Sequence, residues 1–246
     1  VSVRIDRASV YVAPWGNDET GGGPRNPLAT VSAGVAAASR SGRRFVRVQG
    51  DVRLGTPIRV ESEIEILGGC DGSWEPVSGG SSVLSAEGET GPLFVVQGGS
   101  LSLRNLAIPV ERPGDFFMAE AFDGALSISN LKVRLRGAGE LVVLRSRNSS
   151  IEILDTEMEL AGALFARAVE AEGGSTRIRG LRVRAEDALG YLTAFSFVGG
   201  SAELSRIRFE SRTSGGFTLV RGRGMRLGIR DSYIKARGSG FLEAFR

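Results

Sequence analysis

Apolar residues recur along the chain with a period of about 25 positions from Leu93 onward. Residues 99–108 (GSLSLRNLAI) align with residues 124–133 (GALSISNLKV) at a shift of 25, and later segments keep this register. Within each unit, apolar and polar positions alternate, which is typical of strands that bury one face. The repeat therefore predicts a solenoid. Two aligned columns are apolar throughout: Leu103, Ile128, Ile153, Ile178, Leu204, Ile229, and Ile108, Val133, Met158, Val183, Phe209, Ile234.

A column of turn-forming residues separates the two alternating segments of each unit. Most of these residue types tolerate left-handed or tight-turn backbone, so the column predicts a corner of the coil. Its members are Asn105, Asn130, Asp155, Gly180, Arg206 and Asp231. Paired glycines between the strands leave little room for a helix and disfavour a leucine-rich repeat. A third strand is predicted ahead of each unit, at 93–97, 116–122, 141–145, 164–169, 192–197, 217–221 and 241–245.

The predicted fold class is all-β: a single right-handed parallel β-helix with about 25 residues and three short strands per coil. We predict one domain over residues 1–246. Its regular coils are expected over 93–246, and less regular first coils over 45–92, with strands at 45–48, 58–60 and 64–67. Residues 1–44 are expected to supply a first strand, a loop and a capping α-helix.

The capping helix is predicted at residues 27–39. Asn26 would be the N-cap and Pro27 the first helical residue, which is a favoured combination at a helix start. The residues Leu28, Val31, Val35 and Ala38 then fall on one apolar face. Such a helix would cover the open apolar end that a solenoid otherwise exposes.

The composition excludes several kinds of catalytic site. The chain has no histidine, which excludes Ser-His-Asp and Cys-His catalysis, histidine general bases and histidine-ligated metals. A single cysteine, Cys70, excludes intrachain disulfides and cysteine zinc sites, and its apolar neighbours favour a small buried residue over a reactive thiol. The formal net charge of +3 is too weak to indicate a nucleic-acid partner. No apolar run is long enough to span a membrane.

The two ends of the sequence give expectations about its neighbours. Val1 is neither a methionine nor the start of a signal-peptide pattern, so we expect a processed or trimmed N-terminus. Residues 241–246 stop midway through a coil, with no C-terminal cap in the sequence. We therefore expect that the last strand covers this end, that the native chain continues, or that another subunit packs there to form an oligomer.

Two segments resemble bacterial pectate-lyase-like β-helix proteins. Residues 10–18 (VYVAPWGND), followed by a Gly/Pro loop and 26–31 (NPLATV), resemble the first strand and capping helix of that group. Residues 64–74 (IEILGGCDGSW) resemble its "GG(Y/F)…W" segment. The resemblance implies a secreted or cell-surface bacterial protein. Because the group includes polysaccharide lyases, glycosidases and non-catalytic adhesins, it does not by itself imply an activity.

The candidate site is formed by outward residues of one predicted strand. Successive coils lie about 4.8 Å apart, so these side chains would stack basic over acidic over basic. One interpretation is a self-neutralising ladder that solvates the sheet. The other is a groove that binds an acidic glycan, or that performs β-elimination with Arg182 or Arg184 as the base and Ca²⁺ neutralising a uronate. The stacked pairs are Lys132/Arg134, Glu157/Glu159, Arg182/Arg184, Arg208/Glu210 and Tyr233/Lys235.

Two other groups of candidate site residues also have a structural interpretation. Trp15 and Trp74 could stack on sugars, but their place in the family pattern favours packing. Paired carboxylates could serve glycoside hydrolysis or bind Ca²⁺, but we interpret them as solvated turn residues and assign no metal ligand. These carboxylates are Asp115, Glu120, Asp123, Glu170, Glu172, Glu186 and Asp187.

The sequence favours a non-catalytic β-helix that acts as a scaffold or binding module for a glycan or a protein. It would need no cofactor. The alternative is a polysaccharide lyase or glycoside hydrolase that acts on an acidic polysaccharide, with Ca²⁺ only in the lyase. Clustered arginines and carboxylates that line a cleft would favour the enzyme. A uniform charge ladder would favour the scaffold.

Overall fold

The computed structural model describes residues 8–55, 57–86, 91–112, 114–238 and 242–245. For Arg112, Ala188, Gly238 and residues 242–245 it describes the backbone only. Within these residues the chain forms one helix, α1 (Val31–Ser41), and many short strands. The strands are β1 (Ser9–Val12), β2 (Phe45–Val48), β3 (Val52–Arg53), β4 (Ile58–Val60), β5 (Glu63–Leu67), β6 (Ser82–Ser85), β7 (Phe94–Gln97), β8 (Ser100–Arg112), β9 (Phe116–Phe122), β10 (Ala125–Gly137), β11 (Glu140–Arg147), β12 (Ser150–Leu154), β13 (Glu157–Ala161), β14 (Phe165–Glu172), β15 (Ser175–Arg179), β16 (Arg182–Ala188), β17 (Tyr191–Val198), β18 (Ser201–Ser205), β19 (Arg208–Thr213), β20 (Phe217–Arg223), β21 (Arg226–Arg230), β22 (Tyr233–Gly238) and β23 (Leu242–Phe245).

The strands stack into a parallel β-solenoid of about six turns, which confirms the predicted parallel β-helix. Three faces run along its length. The first face has the strand order β1-β2-β5-β8-β10-β12-β15-β18-β21, and the third face has the order β4-β7-β9-β11-β14-β17-β20-β23. The second face is formed by β3, β6, β13, β16, β19 and β22 together with the second halves of β8 and β10.

The predicted apolar columns form the core of the solenoid. In the column of the second face, Ile108, Val133, Met158, Val183 and Phe209 are at most 2% exposed. Each side chain packs on those of the coils above and below, so burial depends on having a neighbour on both sides. The last member of the column, Ile234, is 41% exposed because no described strand pairs with the far edge of β22.

The predicted corner column adopts left-handed backbone in every coil. Asn105, Asn130, Asp155, Arg206 and Asp231 have φ between 43° and 55°. Gly180 occupies the same column with a φ of 73°. The sequence signal was therefore correct for the corner, since Asn, Asp and Gly are the residues that adopt this conformation most readily.

Two coils depart from the prediction of three short strands. β8 and β10 each continue for 13 residues through the corner, so that their first and second segments form one bent strand. The amide of Asn130 donates to the side-chain oxygen of Asn105 at 3.2 Å, which links the two corners directly. The ladder resumes on both sides of each asparagine, and the bend therefore does not end the strand.

The helix begins four residues later than the sequence predicts. α1 runs over Val31–Ser41, and its N-cap is Thr30, whose hydroxyl accepts the N–H of Ala33 at 3.2 Å. The prediction of Asn26 as N-cap and Pro27 as first helical residue was wrong. Asn26 instead closes a turn in the preceding loop.

Hydrogen bonds from the loop explain this shift. The Asp18 carboxylate accepts the N–H groups of Ala29 and Thr30 at 2.8 and 2.9 Å and the Thr30 hydroxyl at 2.8 Å. Leu28 pairs along β1, where its N–H donates to the carbonyl of Tyr11 at 2.9 Å. These bonds hold residues 28–30 in extended backbone, so a helix cannot start before them.

One face of α1 packs against β1 and β2, as its apolar spacing predicted. Val31, Gly34, Val35 and Ala38 are buried there, and Leu28 joins the same core from outside the helix. The role of the helix as a cap stays a prediction, as do the domain boundaries. Among the described helices, none is long and apolar enough to cross a membrane.

Candidate functional site

The outward residues of the second face from β6 to β22 form one continuous surface, which we call the charged face. It includes the predicted stacked pairs: Lys132 lies beside Glu157, Glu157 beside Arg182 and Arg182 beside Arg208. The charged face carries nine basic side chains against five glutamates, and Asp187 lies in an adjoining bulge. Its basic residues are Lys132, Arg134, Arg136, Arg182, Arg184, Arg208, Arg212, Lys235 and Arg237, and its glutamates are Glu111, Glu157, Glu159, Glu186 and Glu210.

Four of these glutamates already bind an arginine. Glu159 pairs with Arg134 at 2.7 Å, and Glu157 pairs with Arg182 at 2.8 Å, each across one coil boundary. The other two pairs lie within a single strand, where Arg184 binds Glu186 at 3.1 Å and Arg208 binds Glu210 at 2.7 Å. All eight side chains are at least one-third exposed, so each pair contributes little to stability, about 0–1 kcal/mol.

The pairing leaves a surplus of positive charge. Among the described residues, five cations of the charged face make no ion pair: Lys132, Arg136, Arg212, Lys235 and Arg237. Three of them, Arg212, Lys235 and Arg237, line a cleft of about 210 Å³ that spans β16, β19 and β22, beside Arg184, Glu186 and Glu210. The ladder is therefore not self-neutralising at this end of the face.

The parallel register of successive strands brings the predicted site residues together. A cleft of about 290 Å³ is lined by three of the predicted stacked pairs: Glu157/Glu159, Arg182/Arg184 and Arg208/Glu210. Lys132 and Arg134 line the adjoining cleft with Glu157 and Glu159. The roles of Arg182 and Arg184 as a base, and of the other residues as ligands, stay predictions.

Glu210 is held in its charged form. Both Nε and Nη2 of Arg208 donate to the same carboxylate oxygen, at 2.8 and 2.7 Å. These hydrogen bonds, together with the positive charges of Arg208, Lys235 and Arg184, lower the pKa of Glu210. The Arg208 guanidinium also lies 5.8 Å from the ring centre of Tyr233, which places the predicted tyrosine in the same cluster.

The outermost row of the charged face was not among the predicted site residues. Arg136, Arg212 and Arg237 follow the predicted pairs of their strands by two residues, and Glu111 of β8 lies beside Arg136. The alternation that identified Arg134 continues to Arg136, so the signal was present. The prediction included only two outward positions of each strand.

Several carboxylates that the sequence placed in turns lie on strands instead. Glu120 and Glu170 are outward residues of β9 and β14, and both pair with Arg145 of β11, at 3.6 and 3.1 Å. The Arg145 guanidinium stacks 4.1 Å from the ring centre of Phe117. The third face therefore has its own ion pairs, and Arg145 lies between two glutamates in one of its rows.

The remaining carboxylates do not form a metal site. Glu172 pairs with Arg147 at 2.9 Å, and Asp115 accepts the N–H of Glu140 at 2.7 Å. Asp123 lies at a corner with a φ of 51°. Within the described part of the chain, no three acidic or sulfur side chains come together in a group that could hold a metal ion.

The two tryptophans have different environments. Trp74 is buried, its ring meets Tyr11 edge-on at 4.9 Å, and its indole N–H donates to the carbonyl of Pro24 at 3.1 Å. Its predicted packing role is therefore confirmed. Trp15 is 64% exposed, so the prediction that it packs was wrong.

Cys70 is a buried residue beside Tyr11, Ala13 and Trp74. Burial is the main cause that raises the pKa of the Cys70 thiol to about 11. Since only the thiolate is nucleophilic, we expect Cys70 to react with iodoacetamide at about pH 8 at least about tenfold slower in the folded chain than in the denatured chain. Equal rates in the two states, measured by mass spectrometry, would contradict this assignment.

No family model and no curated protein matches the sequence. Among solved structures, the chain is similar to the A-module of the Azotobacter vinelandii mannuronan C-5 epimerase AlgE6, with a TM-score of 0.27, 10% identity, and coverage of 87% of this chain and 93% of that chain. The similarity to the AlgE4 A-module of the same organism has a TM-score of 0.25 and 9% identity, and it covers 88% of this chain and 94% of that chain. The similarity to the periplasmic alginate epimerase AlgG has a TM-score of 0.22 and 8% identity, and it covers 78% of this chain and 75% of that chain. At these TM-scores the fold assignment rests on the strand pairing of this chain.

Proposed function

We propose that this protein is a non-catalytic binding module whose charged face binds an acidic polysaccharide. The observation that carries the proposal is the surplus of cations on that face. Lys132, Arg136, Arg212, Lys235 and Arg237 have no carboxylate partner among the described residues, and all are exposed. Carboxylate or sulfate groups of a polymer would supply the missing partners.

The shape of the charged face suits an extended chain. Four overlapping clefts lie along it, from Val83 at one end to Arg237 at the other. Successive strands present their side chains about 4.8 Å apart, and the unpaired cations fall in two groups along the solenoid axis, one on β10 and one on β19 and β22. A flexible polyanion can contact several of them at once, which raises its affinity through a high effective concentration.

The chemistry of the charged face supports binding over catalysis. A general acid needs a carboxyl that holds its proton near neutral pH, whereas the hydrogen bonds from Arg208 lower the pKa of Glu210. An arginine that acts as a base must first lose its proton, and burial is what favours the neutral form. The Arg182 and Arg184 side chains are more than half exposed, and each binds a glutamate.

Affinity electrophoresis through gels that contain pectate, alginate or neutral dextran tests the proposal. We expect pectate and alginate to retard the chain and dextran to leave its mobility unchanged. The double substitution Lys132→Glu and Arg212→Glu should raise the dissociation constant for the acidic polymers at least about tenfold, since two attractive contacts become repulsive. Salt near 1 M should also abolish binding, because it screens charges beyond about 3 Å.

A charge-matched variant separates specific from general attraction. Arg25→Glu with Arg59→Glu changes the net charge by the same amount at exposed positions outside the charged face. Equal loss of retardation in the two double variants would contradict the proposal. Unsaturated products that absorb in the ultraviolet would instead support the lyase, and loss of those products in Arg182→Ala or Arg184→Ala would assign the base. A secreted or cell-surface location stays part of the proposal.

A further inference from the structure

Acidic and neutralised strands separate the unpaired cations in the middle of the charged face. Lys132 and Arg136 belong to β10, and Arg212 belongs to β19, three strand spacings farther along the solenoid. Neighbouring strands lie about 4.8 Å apart, so the two groups are about 14 Å apart along the axis. The strand next to β10 is β13, which contains two outward glutamates, Glu157 and Glu159, and no cation. Positive charge therefore occurs in two patches with negative charge between them.

The two glutamates of β13 are accessible and keep hydrogen-bonding capacity for a ligand. The side chains of Glu157 and Glu159 are 45% and 46% exposed. Glu157 accepts a hydrogen bond from Arg182 through Oε1 at 2.8 Å, and Glu159 accepts one from Arg134 through Oε2 at 2.7 Å. Within the described part of the chain, the second oxygen of each carboxylate has no hydrogen-bond donor. These oxygens can accept hydroxyl groups of a ligand, but they would repel a ligand carboxylate.

The cleft of about 290 Å³ lies over β13, β16 and β19, and its charges cancel, since three arginines and three glutamates line it. Each of these six side chains already has an ion-pair partner on the charged face. A ligand carboxylate placed here would have to displace a glutamate from its arginine. The hydroxyl groups of a neutral sugar can hydrogen-bond to the glutamates without breaking a pair. The cleft therefore favours a neutral sugar over an acidic one.

We propose that the charged face selects an acidic heteropolysaccharide whose charged sugars are separated by neutral ones. Acidic groups of the ligand would bind the unpaired cations of β10 and β19, and neutral sugars would occupy the cleft between them. Repulsion from Glu157 and Glu159 would act against a polymer with a carboxylate on every sugar, so specificity would come from an unfavourable contact with the wrong ligand. This inference rests on the proposed binding of an acidic polysaccharide and adds the charge spacing of that ligand.

Pectins that differ only in methyl ester content test the charge spacing. Each ester converts one carboxylate of the same backbone into a neutral group, so esterification spaces the remaining charges. We expect the dissociation constant, measured by affinity electrophoresis without divalent cations and expressed per sugar unit, to pass through a minimum as ester content rises. Pectin of intermediate ester content should bind at least about threefold tighter than fully de-esterified pectate, because repulsion at the cleft is relieved before the contacts with the cations are lost.

The double substitution Glu157→Gln and Glu159→Gln should remove this minimum. Glutamine keeps an oxygen that accepts sugar hydroxyls but carries no negative charge, so the variant should bind de-esterified pectate at least about tenfold tighter than the unsubstituted chain. Its affinity should then fall steadily as ester content rises. Glu172→Gln with Glu203→Gln is the charge-matched control, because both glutamates are exposed and pair with arginines outside the charged face. The control variant should keep the minimum.

Three outcomes would overturn this inference, and they distinguish it from the proposed function. A dissociation constant that rises steadily with ester content in the unsubstituted chain would leave the proposed function intact and assign binding to general attraction for polyanions. A minimum that persists in the Glu157→Gln, Glu159→Gln variant, with its fold intact by circular dichroism, would show that the two glutamates do not select the charge spacing. Absence of retardation by every pectin would contradict the proposed function itself, and the inference with it.

Discussion

Replacement of Phe195 by alanine is expected to lower the free energy of unfolding by about 3–5 kcal/mol, the range for loss of a fully buried phenylalanine. Phe195 is fully buried in the centre of the third face, between Val169 of β14 and Val220 of β20, and its ring stacks 6.3 Å from that of Phe197. The strands on both sides are fixed by parallel ladders, so the walls of the resulting cavity cannot close. Urea unfolding followed by circular dichroism measures the change.

The matched control for this prediction is another phenylalanine of the third face. Phe165 begins β14 and is 44% exposed, so Phe165→Ala removes the same atoms without opening a buried cavity. We expect a loss below about 1 kcal/mol. Equal losses for the two substitutions would show that the third face does not pack as described. Because solenoids can unfold in stages, transitions at two wavelengths should coincide before a single free energy is assigned.

The substitution Gly174→Ala is expected to cost about 3 kcal/mol, which combines left-handed backbone strain with overpacking. Gly174 has a φ of 68° at the corner between the third and first faces. A Cβ atom there would overlap the main-chain carbonyl oxygen of Ser149 in the preceding coil. Since this neighbour is backbone held in the ladder, it cannot move away without breaking the stacking of the two coils.

Gly199→Ala separates the two contributions. Gly199 has a φ of 67°, and a Cβ atom there would meet nothing within 4 Å. Only the backbone strain should remain, about 1–2 kcal/mol. Asp123 and Asn148 hold equivalent corner positions with φ of 51° and 50°, so Gly199→Asn should cost less still. Thermal unfolding of the three variants provides the comparison, and equal melting temperatures for Gly174→Ala and Gly199→Ala would contradict the close approach at Ser149.

Local residue preferences predicted some features and failed for others. The corner column was predicted because Asn105, Asn130 and Gly180 are residue types that adopt left-handed backbone on their own account. The start of the helix was predicted wrongly, because the preference for Pro at the first helical position is only local. Contacts of Asp18 and Tyr11 with residues 28–30, which are remote in sequence, override that preference.

The sequence by itself determined the solenoid, its coil length, its buried columns and the side chains that stack on the second face. A fixed repeat requires that residue n lie beside residue n + 25, so the pairing of Lys132, Glu157 and Arg182 follows from spacing alone. Only the tertiary structure decided which of these charges neutralise one another. Arg208 binds Glu210 within its own strand, and Lys235 of the next coil has no carboxylate partner among the described residues.

Burial was likewise decided by three-dimensional neighbours. Ile234 continues an apolar column that the sequence predicts to be buried, yet it is exposed because burial in a solenoid requires a coil on each side. Sequence periodicity reports the direction in which a side chain points relative to the sheet. It does not report whether a neighbouring layer covers that side chain, or which charges pair, and for this reason the surplus cations of the charged face became visible only in the folded chain.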